Sequence, residues 1–197
     1  MGKTWTANLV FTASGGTSLA NIFPAMAVDP VNGNLYAVWS DGQTVSFSSS
    51  SDQGNTWSSA ITVSQSPATT AFFPWVAAYK GTVDVVYYGT TATSNLDPSA
   101  TWHVYFAQFN GASFTQTQVN PTTNHVGVIC TAGTGCGPGT RNLLDLFKVA
   151  IDPRNSKAAI IYTDDTLTTS NDPNNFACSP NQSPPCPLPQ AVLAQQN

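Results

Sequence analysis

Phe23-Pro24-Ala25-Met26-Ala27-Val28-Asp29-Pro30 returns far down the chain as Leu146-Phe147-Lys148-Val149-Ala150-Ile151-Asp152-Pro153. The match holds at the same offset beyond that point. Asp41 closes Ala37-Val38-Trp39-Ser40-Asp41 twelve residues after Asp29, and Asp164 closes Ile160-Ile161-Tyr162-Thr163-Asp164 twelve residues after Asp152. A middle copy, Phe73-Pro74-Trp75-Val76-Ala77-Ala78 followed by Val83-Asp84-Val85-Val86-Tyr87-Tyr88, lacks the Asp-Pro turn but keeps both apolar runs. Short alternating runs rich in Val, Ile, Tyr, Phe and Thr, divided by Gly, Pro, Asn and Asp, read as strands, and no helical periodicity competes with them. Each copy continues into a third run (44–49, 103–108, 190–195), and the first two into a fourth (59–64, 113–119). The chain is therefore expected to be all-β. Four short antiparallel strands repeated about every 50 residues predict the blades of a β-propeller, with a plain β-sandwich as the competing arrangement. The expected organisation is one domain over 1–197: a blade at 23–64, a second at 73–119, and a third split between the ends. The split blade has its first three strands in 146–197 and its fourth strand in 1–12.

Composition narrows the partners. Charged residues make up 8% of the 197, and Glu is absent. That is about a third of the usual charged share, so Ser, Thr, Asn and Gln solvate the surface instead. The six cations (Lys3, Lys80, Arg141, Lys148, Arg154, Lys157) form no run, which argues against nucleic acid as a partner. No apolar stretch reaches membrane-spanning length, and no secretory signal is present, so any targeting segment is expected to have been removed and Met1 to be a fragment boundary. Cys130 with Cys136 and Cys178 with Cys186 are two close pairs in Gly- or Pro-rich stretches, a spacing that suits local disulfides in an oxidising compartment better than zinc. A secreted or extracellular protein is the expectation.

Between the third and fourth runs of the first copy lies Ser50-Ser51-Asp52-Gln53-Gly54-Asn55-Thr56-Trp57, which fits S-x-D-x-G-x-T-W at every defined position. It resembles the Asp-box of the sialidase-like, or BNR-repeat, β-propeller families. A degenerate version, Phe109-Asn110-Gly111-Ala112-Ser113-Phe114, stands at the matching place in the second copy. The resemblance implies that Ser50, Asp52, Gly54, Thr56 and Trp57 form a structural hairpin away from the active face, with Trp57 packed between adjacent sheets. It also implies glycan binding or glycoside hydrolysis. Conventional sialidase chemistry does not fit, because that chemistry uses an arginine cluster and a glutamate-activated tyrosine, whereas this chain has two arginines and no glutamate.

In a propeller the loops joining strands two and three, and those leading to the next blade, share one face. Here those loops (89–101, 120–145, 163–189) are long, and long loops in a compact domain carry function. The polar and aromatic residues gathered there are Tyr88, Asp97, Trp102, His103, His125, Arg141, Asp145, Asp164 and Asp165. Hydrolysis of a glycosidic bond needs two carboxyl groups, so Asp145, Asp164 and Asp165 are the catalytic candidates. Arg141, His125, His103, Trp102 and Tyr88 are the ligand-binding candidates, with Arg141 also able to serve as a salt-bridge partner of Asp145. Asp41 and Asp164 equally suit strand-end capping. No nucleophile motif supports a Ser-His-Asp hydrolase. No metal is assigned, although Asp164, Asp165 and Asp172 make an oxygen-rich loop suited to calcium. Asn181-Gln182-Ser183 is formally a glycosylation sequon. The competing function is a non-catalytic structural or protein-interaction module of a larger surface protein. Finally, Gly2-Lys3-Thr4-Trp5 matches half of an Asp-box and Leu193-Ala194-Gln195-Gln196-Asn197 matches the strand that enters one, so closure of a six-bladed ring by a homodimer is expected.

Overall fold

The computed structural model describes residues 4–19, 22–143, 147–171, 178 and 185–197. Among these, apart from a 3₁₀ turn at Gly133–Gly135, regular structure is all β: β1 (Ala25–Val28), β2 (Leu35–Ser40), β3 (Val45–Ser50), β4 (Ile61–Thr62), β5 (Thr70–Tyr79), β6 (Thr82–Thr90), β7 (Thr101–Phe109), β8 (Phe114–Gln118), β9 (His125–Val126), β10 (Lys148–Ile151), β11 (Ala158–Asp164), β12 (Thr169–Ser170), β13 (Cys186–Pro187) and β14 (Gln190–Gln195). They form three main antiparallel sheets. Sheet I is β1-β2-β3-β4, sheet II is β5-β6-β7-β8 with β9 added to β7, and sheet III is β10-β11-β14; β12 and β13 form a small separate pair.

The repeat is visible in turn chemistry as well as in strand order. In the β1–β2 turn, Asp29 Oδ1 accepts the Val31 N–H at 2.9 Å and Asn32 Oδ1 accepts the Asn34 N–H at 2.8 Å. In the β10–β11 turn, Asp152 Oδ1 accepts the Arg154 N–H and Asn155 Oδ1 accepts the Lys157 N–H, each at 2.9 Å. The next residue of each turn is left-handed: Gly33 at φ 78° and, at the equivalent place, Ser156 at φ 59°. Asx side chains close such turns locally, and Gly is the residue that adopts this φ without strain.

Packing explains why the strand patterns differ. The sheets stack in the order I, II, III, with one apolar cluster between I and II and another between II and III. Tyr36, Val38, Phe47, Val76, Val83, Val85 and Tyr87 belong to the first; Phe72, Val86, Tyr88, Trp102, Val149, Ile160 and Tyr162 belong to the second. β6 therefore sends alternate residues into both clusters. This is why Val85-Val86-Tyr87-Tyr88 is continuously apolar, as in any strand covered on both faces. The outer sheets each keep one open face. On sheet I it carries Met26 (61% exposed) and Val28 (51%); on sheet III it carries Ile161 (45%) and Leu193 (62%).

Two regions add to the sequence reading. The segment 1–12 was expected to supply the fourth strand of the split blade, and its described residues, 4–12, are not β-paired within this chain. They lie along sheet I, with the Phe11 ring 4.8 Å from Trp39 and Asn8 Nδ2 donating to the Gly54 carbonyl at 2.9 Å. The second lies inside the long loops, where β9 and the β12–β13 pair add structure that runs of two residues do not reveal in sequence. Both cysteine pairs form the local disulfides predicted from their spacing, Cys130–Cys136 and Cys178–Cys186.

Candidate functional site

Because each sheet is an antiparallel meander, its connections alternate between two ends. The β1–β2, β3–β4, β5–β6, β7–β8 and β10–β11 turns share a turn end; the β2–β3, β6–β7 and β11–β12 connections and the segments leading to β5 and β10 share a loop end.

At the turn end, Ser50, Asp52, Gly54, Thr56 and Trp57 form a hydrogen-bonded knot. Asp52 Oδ1 accepts from Ser50 Oγ at 2.8 Å and from the Thr56 N–H at 2.9 Å, while Asp52 Oδ2 accepts from Thr56 Oγ1 at 2.6 Å. These bonds, led by the Thr56 hydroxyl, hold the Asp52 carboxyl at about 2. Ser50 Oγ also accepts the Gly54 N–H at 2.9 Å, and Gly54 takes φ 83°. Trp57 departs from the expectation that its ring fills the space between sheets. It is half-buried and its indole N–H donates to the Gly54 carbonyl at 3.2 Å, so it covers its own turn.

At the loop end, the structure brings five of the expected site residues together and buries them. Trp102 and Tyr88 are fully buried in the cluster between sheets II and III. The Trp102 indole donates to the Gly127 carbonyl at 2.9 Å, and the Tyr88 hydroxyl accepts the Thr163 N–H at 3.0 Å while its ring stacks on Phe147. Burial pushes the Tyr88 phenol well above its usual range, so it stays neutral. His125 Nδ1 lies 2.6 Å from Asp165 Oδ2 with both side chains 5% exposed, and His125 Nε2 faces the Val128 carbonyl at 3.4 Å. Asp164 is equally enclosed; its Oδ1 accepts the Thr166 N–H and hydroxyl, each at 2.8 Å. That is the strand-end capping role, and Asp41 plays it in sheet I by accepting the Gln43 and Thr44 N–H groups. Asn124 ties the same region together, donating to the Thr163 carbonyl and accepting the Asp165 N–H at its own carbonyl. Asp165 thus locks loop to loop through His125, Asp164 caps its own strand end, and neither side chain faces solvent.

The remaining candidates stand apart from that lock. His103 is half-buried with Nδ1 3.1 Å from Gln118 Nε2, and partial burial holds its imidazole below the ordinary value despite a bond with the Thr122 backbone. Asp97 is closed on Ser99, whose side chain and backbone lower its carboxyl. Arg141 is exposed after the disulfide-closed segment. Asp145, Asp172 and the Asn181 sequon lie outside the described residues, as does any pairing of Arg141 with Asp145. Among the described residues no three His, Cys, Asp or Glu side chains converge as a metal-binding group.

The recess at the loop end is lined by other residues: Phe23, Pro24 and Ala25 from the start of sheet I, Phe73, Pro74 and Trp75 from sheet II, and Phe147 from sheet III. Its volume is about 260 Å³. The repeat contributes to it, since one Phe-Pro pair leads into β1 and another interrupts β5. In β5 the register shifts between Phe72 and Trp75, Phe73 takes φ 55°, and Pro74 sits where a bulge needs no ladder donor. Trp75 is half-buried, and the Lys148 ammonium lies 5.0 Å from its ring centroid. The sequence signal for this recess was already present as the repeated Phe-Pro. It reads first as a fold marker, and only tertiary packing places the two Phe-Pro pairs and Phe147 around one space. No protein-family model matches the chain, and no curated protein aligns with it significantly.

Proposed function

We propose that the chain is part of a secreted, Asp-box propeller whose three sheets are successive blades, and that it binds glycans at its loop end without hydrolysing them. The observation that carries the reading is the aromatic recess around Trp75. Glycan sites combine apolar ring faces with a few placed polar groups, and this recess offers Phe23, Phe73 and Trp75 beside the Lys148 ammonium. Two long disulfide-closed loops at the same end support it, as does the hydrogen-bonded Asp-box at the other end. Binding is favoured over hydrolysis because Asp164 and Asp165 are buried and engaged by Thr166 and His125, leaving neither free to protonate a leaving group or receive a water proton. A glycan array identifies the ligand, and titration of that ligand against Trp75→Ala tests the site. The variant is expected to keep the β-sheet circular dichroism, to melt at a lower temperature because Trp75 packs against the cluster between sheets II and III, and to bind about tenfold or more weakly at a temperature where it is folded. Full affinity in Trp75→Ala, or turnover of chromogenic glycosides by the parent, would overturn the reading.

A further inference from the structure

Among the described residues, asparagine precedes glycine or serine in three exposed turns: Asn32-Gly33 between β1 and β2, Asn110-Gly111 between β7 and β8, and Asn155-Ser156 between β10 and β11. Such a pair can react with itself. The backbone nitrogen of the second residue attacks the side-chain amide carbon of the first, ammonia leaves, and a five-membered succinimide forms. Two groups govern that step, the attacking N–H and the side-chain carbonyl. In two of the turns the N–H is occupied: Gly33 donates to the Asp29 carbonyl at 2.9 Å, and Ser156 donates to the Asp152 carbonyl at 2.8 Å. The side-chain carbonyls of Asn32 and Asn155 each accept a single N–H, from Asn34 at 2.8 Å and from Lys157 at 2.9 Å.

The β7–β8 turn is built differently. The Gly111 N–H has no hydrogen-bond partner among the described residues. Gly111 takes φ 98°, brings no side chain to shield its nitrogen, and has nothing within 4 Å of the place a Cβ would occupy. Asn110 Oδ1 accepts two N–H groups, from Ala112 at 3.0 Å and from Ser113 at 2.9 Å. A pair of fixed donors stabilises the charge that a carbonyl oxygen gains when its carbon is attacked. Ser113 Oγ stands 3.1 Å from Asn110 Nδ2, the nitrogen that must gain a proton in order to leave.

We infer that Asn110-Gly111 is a self-modification site, at which Asn110 loses its amide nitrogen as ammonia while the fold protects Asn32 and Asn155. The Gly111 nitrogen gives its proton to solvent base and bonds to Asn110 Cγ. The Cγ–Nδ2 bond then breaks, and Nδ2 departs as ammonia with a proton from water relayed by the Ser113 hydroxyl. Water opens the succinimide at either carbonyl, giving aspartate or isoaspartate, so one water is consumed for each ammonia released. Aspartate keeps the acceptor role and adds a negative charge to a cleft that residue 110 lines together with Lys80 and Lys157. Isoaspartate adds a methylene to the backbone and disrupts the turn that the Asn110 N–H closes on the Ser113 carbonyl at 3.0 Å. The site lies at the turn end and is independent of the glycan reading.

The test incubates the full chain at mildly alkaline pH, folded in one sample and in denaturant in another, and follows its proteolytic peptides by mass spectrometry. In denaturant, Asn32 and Asn110 are each followed by glycine and should convert at similar rates. In the folded chain the Asn110 peptide should convert about tenfold faster than the Asn32 peptide, the factor that one hydrogen bond on the attacking N–H supports. It should also split into aspartate and isoaspartate forms. Asn110→Asp should keep the β-sheet circular dichroism and lack the early release of ammonia. A folded chain in which Asn32 converts as fast as Asn110 or faster would overturn the inference. So would a folded Asn110 that stays intact over the time in which the denatured chain converts.

Discussion

Asp84 stands on β6 facing sheet III, fully buried, with Oδ1 accepting from Gln108 Nε2 at 2.9 Å and Oδ2 without a hydrogen-bond partner among the described residues. Burial raises its carboxyl to about 6, well above the ordinary carboxylate range, and the Gln108 bond offsets only part of that. The sign follows from proton binding. Between about pH 4 and 6 the folded state holds a proton that the unfolded chain has released, so stability falls as pH rises through that window and stays at the lower level above it. A shift of this size corresponds to roughly 3 kcal/mol. Asp84→Asn is expected to raise the melting temperature at pH 7.5 and to leave it unchanged near pH 4, as thermal melts across pH will show. Asp29 behaves in the opposite way. Burial alone would raise it, but N–H groups of Val31, Gly81, Lys80 and Asn32 bring it below its ordinary value, and two of those belong to the turn of the next sheet. The repeat showed Asp29 as a turn residue; the bond across to Gly81 comes from sheet stacking.

At the scale of elements, the Asp52 knot and the loop lock make separate predictions. The depressed Asp52 carboxyl means that its bonds persist in acid and are lost only as pH falls toward about 2. Asp52→Ala should lower the melting temperature at pH 7 and leave glycan binding intact, with the difference from the parent shrinking near pH 2. The His125–Asp165 pair fastens the β8–β10 segment to the loop after β11. Removing one member leaves the other buried and unpaired, so His125→Ala should cost about 3–5 kcal/mol, while a paired apolar replacement of both residues should cost less than the single change. Denaturant unfolding of the single and double variants checks this. The Asp52 turn was legible because its spacing lies within one hairpin, whereas His125 and Asp165 are forty positions apart and no local pattern joins them.

For the whole molecule, sheet II determines cooperativity because it contributes to both apolar clusters. Phe47 lies in the I–II cluster and Phe72 in the II–III cluster, both almost fully buried. Truncating either to Ala should cost about 3–5 kcal/mol, and calorimetry should show one transition in each variant, shifted to lower temperature. Sheets that fold independently would instead give two transitions, with only one displaced by each substitution.

The antiparallel strand pattern, the repeated turns, the Asp52 turn and the two disulfides were determined by sequence alone, because each depends on residues a short distance apart: alternation within a strand, Asx and Gly at fixed places in a turn, cysteines six and eight residues apart. Tertiary structure decided which polar residues face solvent. Tyr88, Trp102, His125, Asp164 and Asp165 are on the loop end as the sequence suggested, but the stacking of sheet III on sheet II encloses them, and loop position carries no information about depth. The recess around Trp75 was likewise decided by stacking, since its walls come from three segments that meet only when the sheets pack side by side.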